Sequence, residues 1–392
     1  MIMLCLMAAP DNVKEIQNGK KPEGKQHTLK LTEELRVTPN KIEEDYFVWV
    51  GKYITVDADK QGNMYVADGM NNRVVMISPE GKYVKMIGDA GEGPGEFQFL
   101  RAFRILADGS AIAFENSNFI NRFNFYDASL AYKDRAFSEE KVALSDVTIA
   151  PNGKLISGNA SVAKGKVELI NYGIFEIPGL KMAKAIHSNE ARNDFDYSKM
   201  QTPGFWLEFI PSRLQYHAQG EIGYVTFDKD NNIYTAVGKD YEITKWSPDL
   251  KPLLTIRRDY TPIPQSEEEI MAEVDQTKES LVSQLPHLES MFSKSMMEKA
   301  VVKAGFLPRK HPIYGLTTLE DGKLIVVHSV SQLTQDVIGD IFDTDGTFLG
   351  SFEHINASLL NIVFKNGKAY TIESTPDGEK HLVRYAVQLV AQ

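Results

Sequence analysis

A chain of 392 residues, 43% hydrophobic and 24% charged, is globular, and it is long enough for two or three ordinary domains or for one array of repeats around a continuous core. Its net charge of −10, with no block of lysine and arginine, argues against nucleic acid as a partner. No stretch approaches the roughly 18 consecutive apolar residues of a membrane span, and the single cysteine, Cys5, excludes an internal disulfide and a cysteine-based zinc site.

In chain order, residues 1–25 read as an export-signal remnant and disordered leader. Met1–Pro10, "MIMLCLMAAP", has the small-residue end of a signal peptide but no basic start. A frayed cytoplasmic start is the alternative. Leu4 is not the small residue that precedes a lipidated cysteine, which weighs against Cys5 as an anchor. Residues 26–392 read as one domain. It opens with "HTLKLTEELRV", 27–37, whose Leu29, Leu31 and Leu35 alternate as in a strand.

Six tight turns then follow, each between two short apolar runs: "DKQGN" 59–63, "LADGS" 106–110, "APNGK" 150–154, "DKDNN" 228–232, "LEDGK" 319–323 and "FKNGK" 364–368. Asp or Asn beside Gly marks a hairpin because such turns need positive φ. Their turn residues, 62, 109, 153, 232, 322 and 367, are separated by 47, 44, 79, 90 and 45 positions. A unit near 45 is one four-stranded propeller blade, and the two long intervals are one unit plus an insertion each. The sixth blade runs out after three strands, at "HLVRYAVQLVAQ". The spacing therefore predicts an all-β, six-bladed β-propeller, closed by residues 27–37 pairing beside a strand near 381–389, which removes an exposed edge.

The first unit, "GNMYVADGMNNRVVMISPEGKYVKMIGDAGEGPGEF", 62–97, resembles an NHL-type repeat, in which a G-N-x-Y-V-A-D-x-x-N-x-R-V strand pair precedes a glycine-rich link ending G-P-G-E-F. The chain as a whole resembles the six-bladed propeller proteins of bacterial envelopes, which implies a periplasmic, envelope or secreted location. The closing "GDAGEGPGEF" reads as a link between blades: a phosphate cradle would open a helix, and a strand and turn follow instead. Asp68, Asn72 and Arg73 are expected to hold the loop between the second and third strands.

Both insertions fall on links from a fourth strand to the next first strand, so they share a face and should touch. The first, about 188–220, carries Phe195, Tyr197, Phe205, Trp206, Phe209 and Tyr216 beside Arg213 and His217. That composition suits a recognition surface, and equally the satellite core of the insertion itself. The second, about 261–310 between blades 4 and 5, predicts a helical hairpin: Ser266 and Glu269 form a capping box, Pro286 breaks the first helix and Gly305 ends the second. Arg101, Trp206, Arg213, Tyr216 and His311 are the ligand-binding candidates at that mouth, with Trp206 and Tyr216 as flat apolar anchors.

No catalytic motif lies on a recognisable scaffold, so no catalytic residue, metal ligand or cofactor is expected. The favoured expectation is a monomeric, non-catalytic binding or scaffold propeller that engages a peptide, glycan or protein on the insertion face. The other is a metal-dependent hydrolase or lyase at the channel mouth, as six-bladed lactonases and an amidating lyase are. The lactonases' characteristic Glu-Gly-Pro on an inner strand is missing. His217, His311 and His328 fall short of a zinc set, while Asp57, Asp146 or Asp228 could offer oxygen ligands to calcium.

Overall fold

The computed structural model describes residues 13–38, 54–117, 120–331, 333–334, 336–354, 361–375 and 378–392. Six antiparallel sheets follow one another as blades. From inner to outer strand, blade 1 holds Ile54–Ala58, Met64–Asp68, Arg73–Ile77 and Tyr83–Ile87. Blade 2 holds Leu100–Ile105, Ala111–Ser117, Ile120–Tyr126 and Tyr132–Phe137. Blade 3 is Ala143–Ile149, Leu155–Lys164, Val167–Glu176 and Met182–Arg192, and blade 4 is Gly223–Phe227, Ile233–Val237, Glu242–Trp246 and Pro252–Arg258. Blade 5 comprises Gly315–Thr318, Leu324–Val330, Val337–Phe342 and Phe348–His354. Blade 6 takes Val363–Lys365, Lys368–Ser374 and Lys380–Ala391 from the C-terminus.

Two N-terminal strands precede the blades, β1 (Lys14–Asn18) and β2 (His27–Val37), and β2 completes the ring. Strand β2 pairs antiparallel with Lys380–Ala391, from His27 beside Ala391 to Val37 beside Leu382, so the predicted closure is present. The disordered-leader expectation needs correction at residues 14–18. There β1 adds a fifth, parallel strand outside Pro252–Arg258 of blade 4. Asn18 anchors it, since its side-chain amide donates to the carbonyls of Arg257 and Gly346 while its oxygen accepts from the amide of Phe348, tying blade 4 to blade 5. Met1–Pro10 lies outside the described residues.

Each blade is held to the next by apolar faces, because alternate side chains of a strand point to opposite sides of its sheet. Val56, Met64, Val66, Val75, Tyr370 and Leu382 join blade 6 to blade 1, for example. Tyr65, Phe97, Leu100, Phe103 and Tyr126 join blade 1 to blade 2. All six predicted inner hairpins lie at their expected turns. The loop after Met64–Asp68 is held as expected, with Arg73 3.3 Å from Asp68, and Asn72 accepting from the amide of Leu100.

The 88–97 link is folded on itself. The carboxylate of Glu96 accepts from the amide of Gly93 at 2.7 Å, and Arg135 of blade 2 donates to the carbonyls of Glu92, Gly93 and Glu96. Gly88 has φ +71°, and a Cβ there would stand 2.2 Å from the buried ring of Phe97. The glycines thus let the link seat a plug between two blades.

Three helices occupy the two long links: α1 (Pro203–Ala218) between blades 3 and 4, then α2 (Glu267–Gln284) and α3 (Lys294–Lys303) between blades 4 and 5. Helix α1 is a helix the sequence reading missed. Its Pro203 sits at the first turn, where a missing amide proton costs nothing. Pro211 lies inside the same helix. The predicted cap of α2 is present, with Ser266 accepting from the amide of Glu269 at 3.2 Å.

Candidate functional site

The helix-bearing face has its own core. Phe195, Phe205, Trp206 and Ile210 of the first insertion pack against Val274, Leu288, Phe292, Met296 and Met297 of the second, so the two insertions touch as expected. The exposed anchors do not exist, however. Trp206 is 1% exposed, its Nε1 donates to the carbonyl of Met200 at 2.8 Å, and its ring meets Phe292 edge-on. Tyr216 is buried and donates its hydroxyl to the carbonyl of Glu190. Short helices are marginal alone and gain stability by burying an apolar face together, and these aromatics supply that face.

Arg213 pairs with Glu168 of blade 3 and lies over the ring of Phe209, which fixes α1 to the propeller. His311 donates from Nε2 to the carbonyl of His217 at 2.7 Å, and its Nδ1 is buried against Gly220. Burial lowers the pKa of the His311 imidazole below its ordinary value. Trp206, Arg213 and Tyr216 thus share α1, His311 meets its end, and Arg101 stands apart on the inner strand of blade 2. His328 lies inside Leu324–Val330, with its Nδ1 2.8 Å from the carbonyl of Pro312. Among the described residues no three His, Cys, Asp or Glu side chains come together. Asp146 accepts from Asn159, and Asp228 from the amides of Asp230 and Asn232.

The opposite face, built from the inner hairpin turns, opens into the central channel. A cavity of about 550 Å³ is lined by the inner strands of all six blades. Its rim carries turn residues such as Gln61, Gly109, Pro151, Lys229, Glu320 and Asn366, and none of the five predicted site residues lines it. Below the rim, the penultimate residues of the first five inner strands are Asp57, Arg104, Thr148, Thr226 and Thr317. Lys365 ends the sixth.

Asp57, fully buried, organises one side of this ring. Its Oδ1 lies 2.6 Å from Lys365 Nζ and 3.6 Å from Arg104 Nη1, and its Oδ2 accepts from the amide of Ile105 at 2.8 Å. Lys365 also donates to the carbonyls of Ala58 and Ile105, so its three protons are spent and three blades are joined. Burial alone would raise the pKa of Asp57, but Arg104 and Lys365 outweigh it and hold the carboxyl below the usual range. Lys365 is pulled down by burial, with Asp57 acting against that shift. Arg104 Nε and Thr55 Oγ1 on the adjacent inner strand are both buried without a hydrogen-bond partner. The sequence held a signal for this ring: aligning the strands on the repeated turn sets polar residues at one offset in five blades.

Residues 50–195 match the model of a family described as a 6-bladed beta-propeller, DUF5128. That span and the six sheets agree on the architecture. Among solved structures, a member of the DUF4221 family from Bacteroides vulgatus is 11% identical, with a TM-score of 0.54 over 93% of this chain and 99% of that one. A Bacteroides fragilis protein described as exported is 10% identical, with a TM-score of 0.48 over 96% of this chain and 100% of that one. A gluconolactonase from Xanthomonas campestris is 11% identical, with a TM-score of 0.42 over 91% and 98%. At such identities the likeness concerns the fold. No curated protein matches the sequence.

Proposed function

We propose that the protein is a non-catalytic binding propeller that takes a small molecule, or the end of a peptide or glycan chain, into the channel mouth on the hairpin face. The cavity carries this reading: about 550 Å³ is of the size small-ligand sites have, and six separate strands converge on it. The helix-bearing face, first expected to be the binding surface, loses support because Trp206 and Tyr216 are interior to it. Nothing favours the metal-dependent hydrolase or lyase reading over this one, and fold alone assigns no chemistry. A periplasmic, envelope or secreted location fits the apolar Met1–Pro10 stretch.

The test is a thermal-shift screen with short peptides and oligosaccharides, followed by two variants. A ligand at about 100 times its Kd stabilises the folded state by about 2.7 kcal/mol. Thr226→Trp fills the channel and should abolish the shift produced by any hit, whereas Arg213→Ala, on the other face, should leave it intact. The reverse pattern overturns the channel reading, and steady conversion of a hit overturns the non-catalytic one.

A further inference from the structure

We propose that Arg104 is an anion-recognition residue of the channel, completed by the hydroxyl of Thr55, and that the ligand presents a single carboxylate or phosphate group to them. This rests on the reading of the channel as the binding site and names the chemistry the channel selects.

Hydrogen-bond accounting within the ring separates its two cations. Lys365 is closed: its ammonium donates to Asp57 and to two backbone carbonyls, and a primary ammonium has no fourth proton. Asp57 is closed as well, because Lys365 and the amide of Ala58 hold Oδ1 and the amide of Ile105 holds Oδ2. Arg104 reaches that carboxylate only at 3.6 Å, beyond hydrogen-bond distance, and its Nε is buried with no partner. Asp59 of the rim adds a weaker pull on Lys365, so Arg104 is the cation that no hydrogen-bonded carboxylate matches.

The remaining wall is suited to an oxyanion. Thr55, on Ile54–Ala58 beside the strand of Arg104, has a buried hydroxyl with no partner. Thr148, Thr226 and Thr317 line the same cavity from blades 3 to 5. The rim acids do not reach in as competitors. Asp59 is spent on the amides of Gln61 and Asn63 and on the hydroxyl of Tyr65, Asp108 on Ser110, and Glu320 on the amide of Gly367. A planar guanidinium with spare donors binds carboxylate and phosphate through charge-assisted hydrogen bonds, which are stronger than neutral ones.

The probes are inorganic phosphate, acetate, and one short peptide made with a free and with an amidated C-terminus, titrated calorimetrically at fixed ionic strength. Saturable binding of at least one free anion is expected, weakened about tenfold or more in Arg104→Gln and several-fold in Thr55→Val, with a smaller loss in Arg104→Lys. Tighter binding of the free than the amidated peptide identifies a chain-end carboxylate as the source, whereas equal binding of both, with phosphate bound, identifies a free small anion. If Arg104→Gln does not fold, Thr55→Val together with Arg104→Lys carries the test. Binding unchanged in those variants, or no anion binding by the folded wild type, overturns the proposal. In that case a neutral hit from the ligand screen, lost in Thr226→Trp, still supports the channel reading, so the two failures are distinguishable.

Discussion

The two faces of the propeller invert what their compositions suggest. The helix-bearing face has the aromatics and arginine of a recognition surface, yet Trp206, Phe205 and Phe292 form its own closed core. The hairpin face is written in threonines, glycines and turn residues, yet a cavity opens there. An insertion must first bury enough apolar surface to fold, and aromatic residues are the densest way to do it. A channel framed by strand edges gets its shape from the ring and needs only a few polar side chains.

Each face can be damaged at its most buried point. Asp57→Ala leaves the partly buried cations Lys365 and Arg104 without their buried carboxylate, and because both keep some access to water the cost should sit at the low end of the about 3–5 kcal/mol for a broken buried pair. Because the trio joins blades 6, 1 and 2, urea unfolding should shift as a single transition. Trp206→Ala costs a similar amount, about 3–5 kcal/mol by the usual range for large core truncations, but it should be local. Hydrogen exchange should speed up in α1, α2 and α3 while the inner strands keep their protection. Equal loosening of both faces in either variant would mean that the faces are one cooperative unit.

How legible the two faces were in the sequence follows from how each is specified. The blades repeat a local rule, a tight turn rich in Asp, Asn and Gly between two strands, so six hairpins and the closure by 27–37 could be read from spacing. Strand β1 could not, because "KEIQN" is short and mostly exposed, and its place depends on Asn18 meeting blades 4 and 5. Helix α1 was hidden by Pro203, Gly204 and Pro211, which lower helix propensity, and packing against α3 overrides them. Trp206 carries no mark in the sequence that separates an anchor from a core residue. Arg104 was readable only by lining up the repeats, since its importance lies in what Asp57 and Lys365 leave it without.

Acid should separate the faces by a smaller amount. His311 and His354 lie at the helix-bearing face, and burial lowers both below the ordinary 6.5. The unfolded chain then takes up protons at a pH where the folded one does not. Stability therefore falls as pH drops below about 6.5, until the depressed pKa values are reached. Glu273 on α2 opposes this, because burial raises its pKa and protonation then favours the folded form. Asp57 contributes stability above the ordinary 3.8, and this is lost only as pH falls through its depressed value. Between pH 6.5 and 5, protection factors should therefore drop near 216–219 and 306–313 and hold in Ile54–Ala58 and Leu100–Ile105. A uniform drop would place the acid-sensitive groups in the ring.

The smallest effect compares how each face ends its backbone. Ser266 caps α2 by accepting from the amide of Glu269, whose carboxylate is the buried partner of Lys310 at 2.6 Å. Asp228 does the corresponding work in a hairpin turn, accepting from the amides of Asp230 and Asn232 and from the Asn232 side chain. Ser266→Ala should cost about 1 kcal/mol, the usual value of a lost helix cap. That loss should be confined to the helices, because the Glu269–Lys310 pair can hold the first turn in place. Asp228→Ala removes three accepted hydrogen bonds from a nearly buried residue at the end of an inner strand, so its loss should exceed that of Ser266→Ala and appear in the global transition. Equal losses in urea unfolding would show that the hairpin turns contribute no more to the ring than the helices do to their own face.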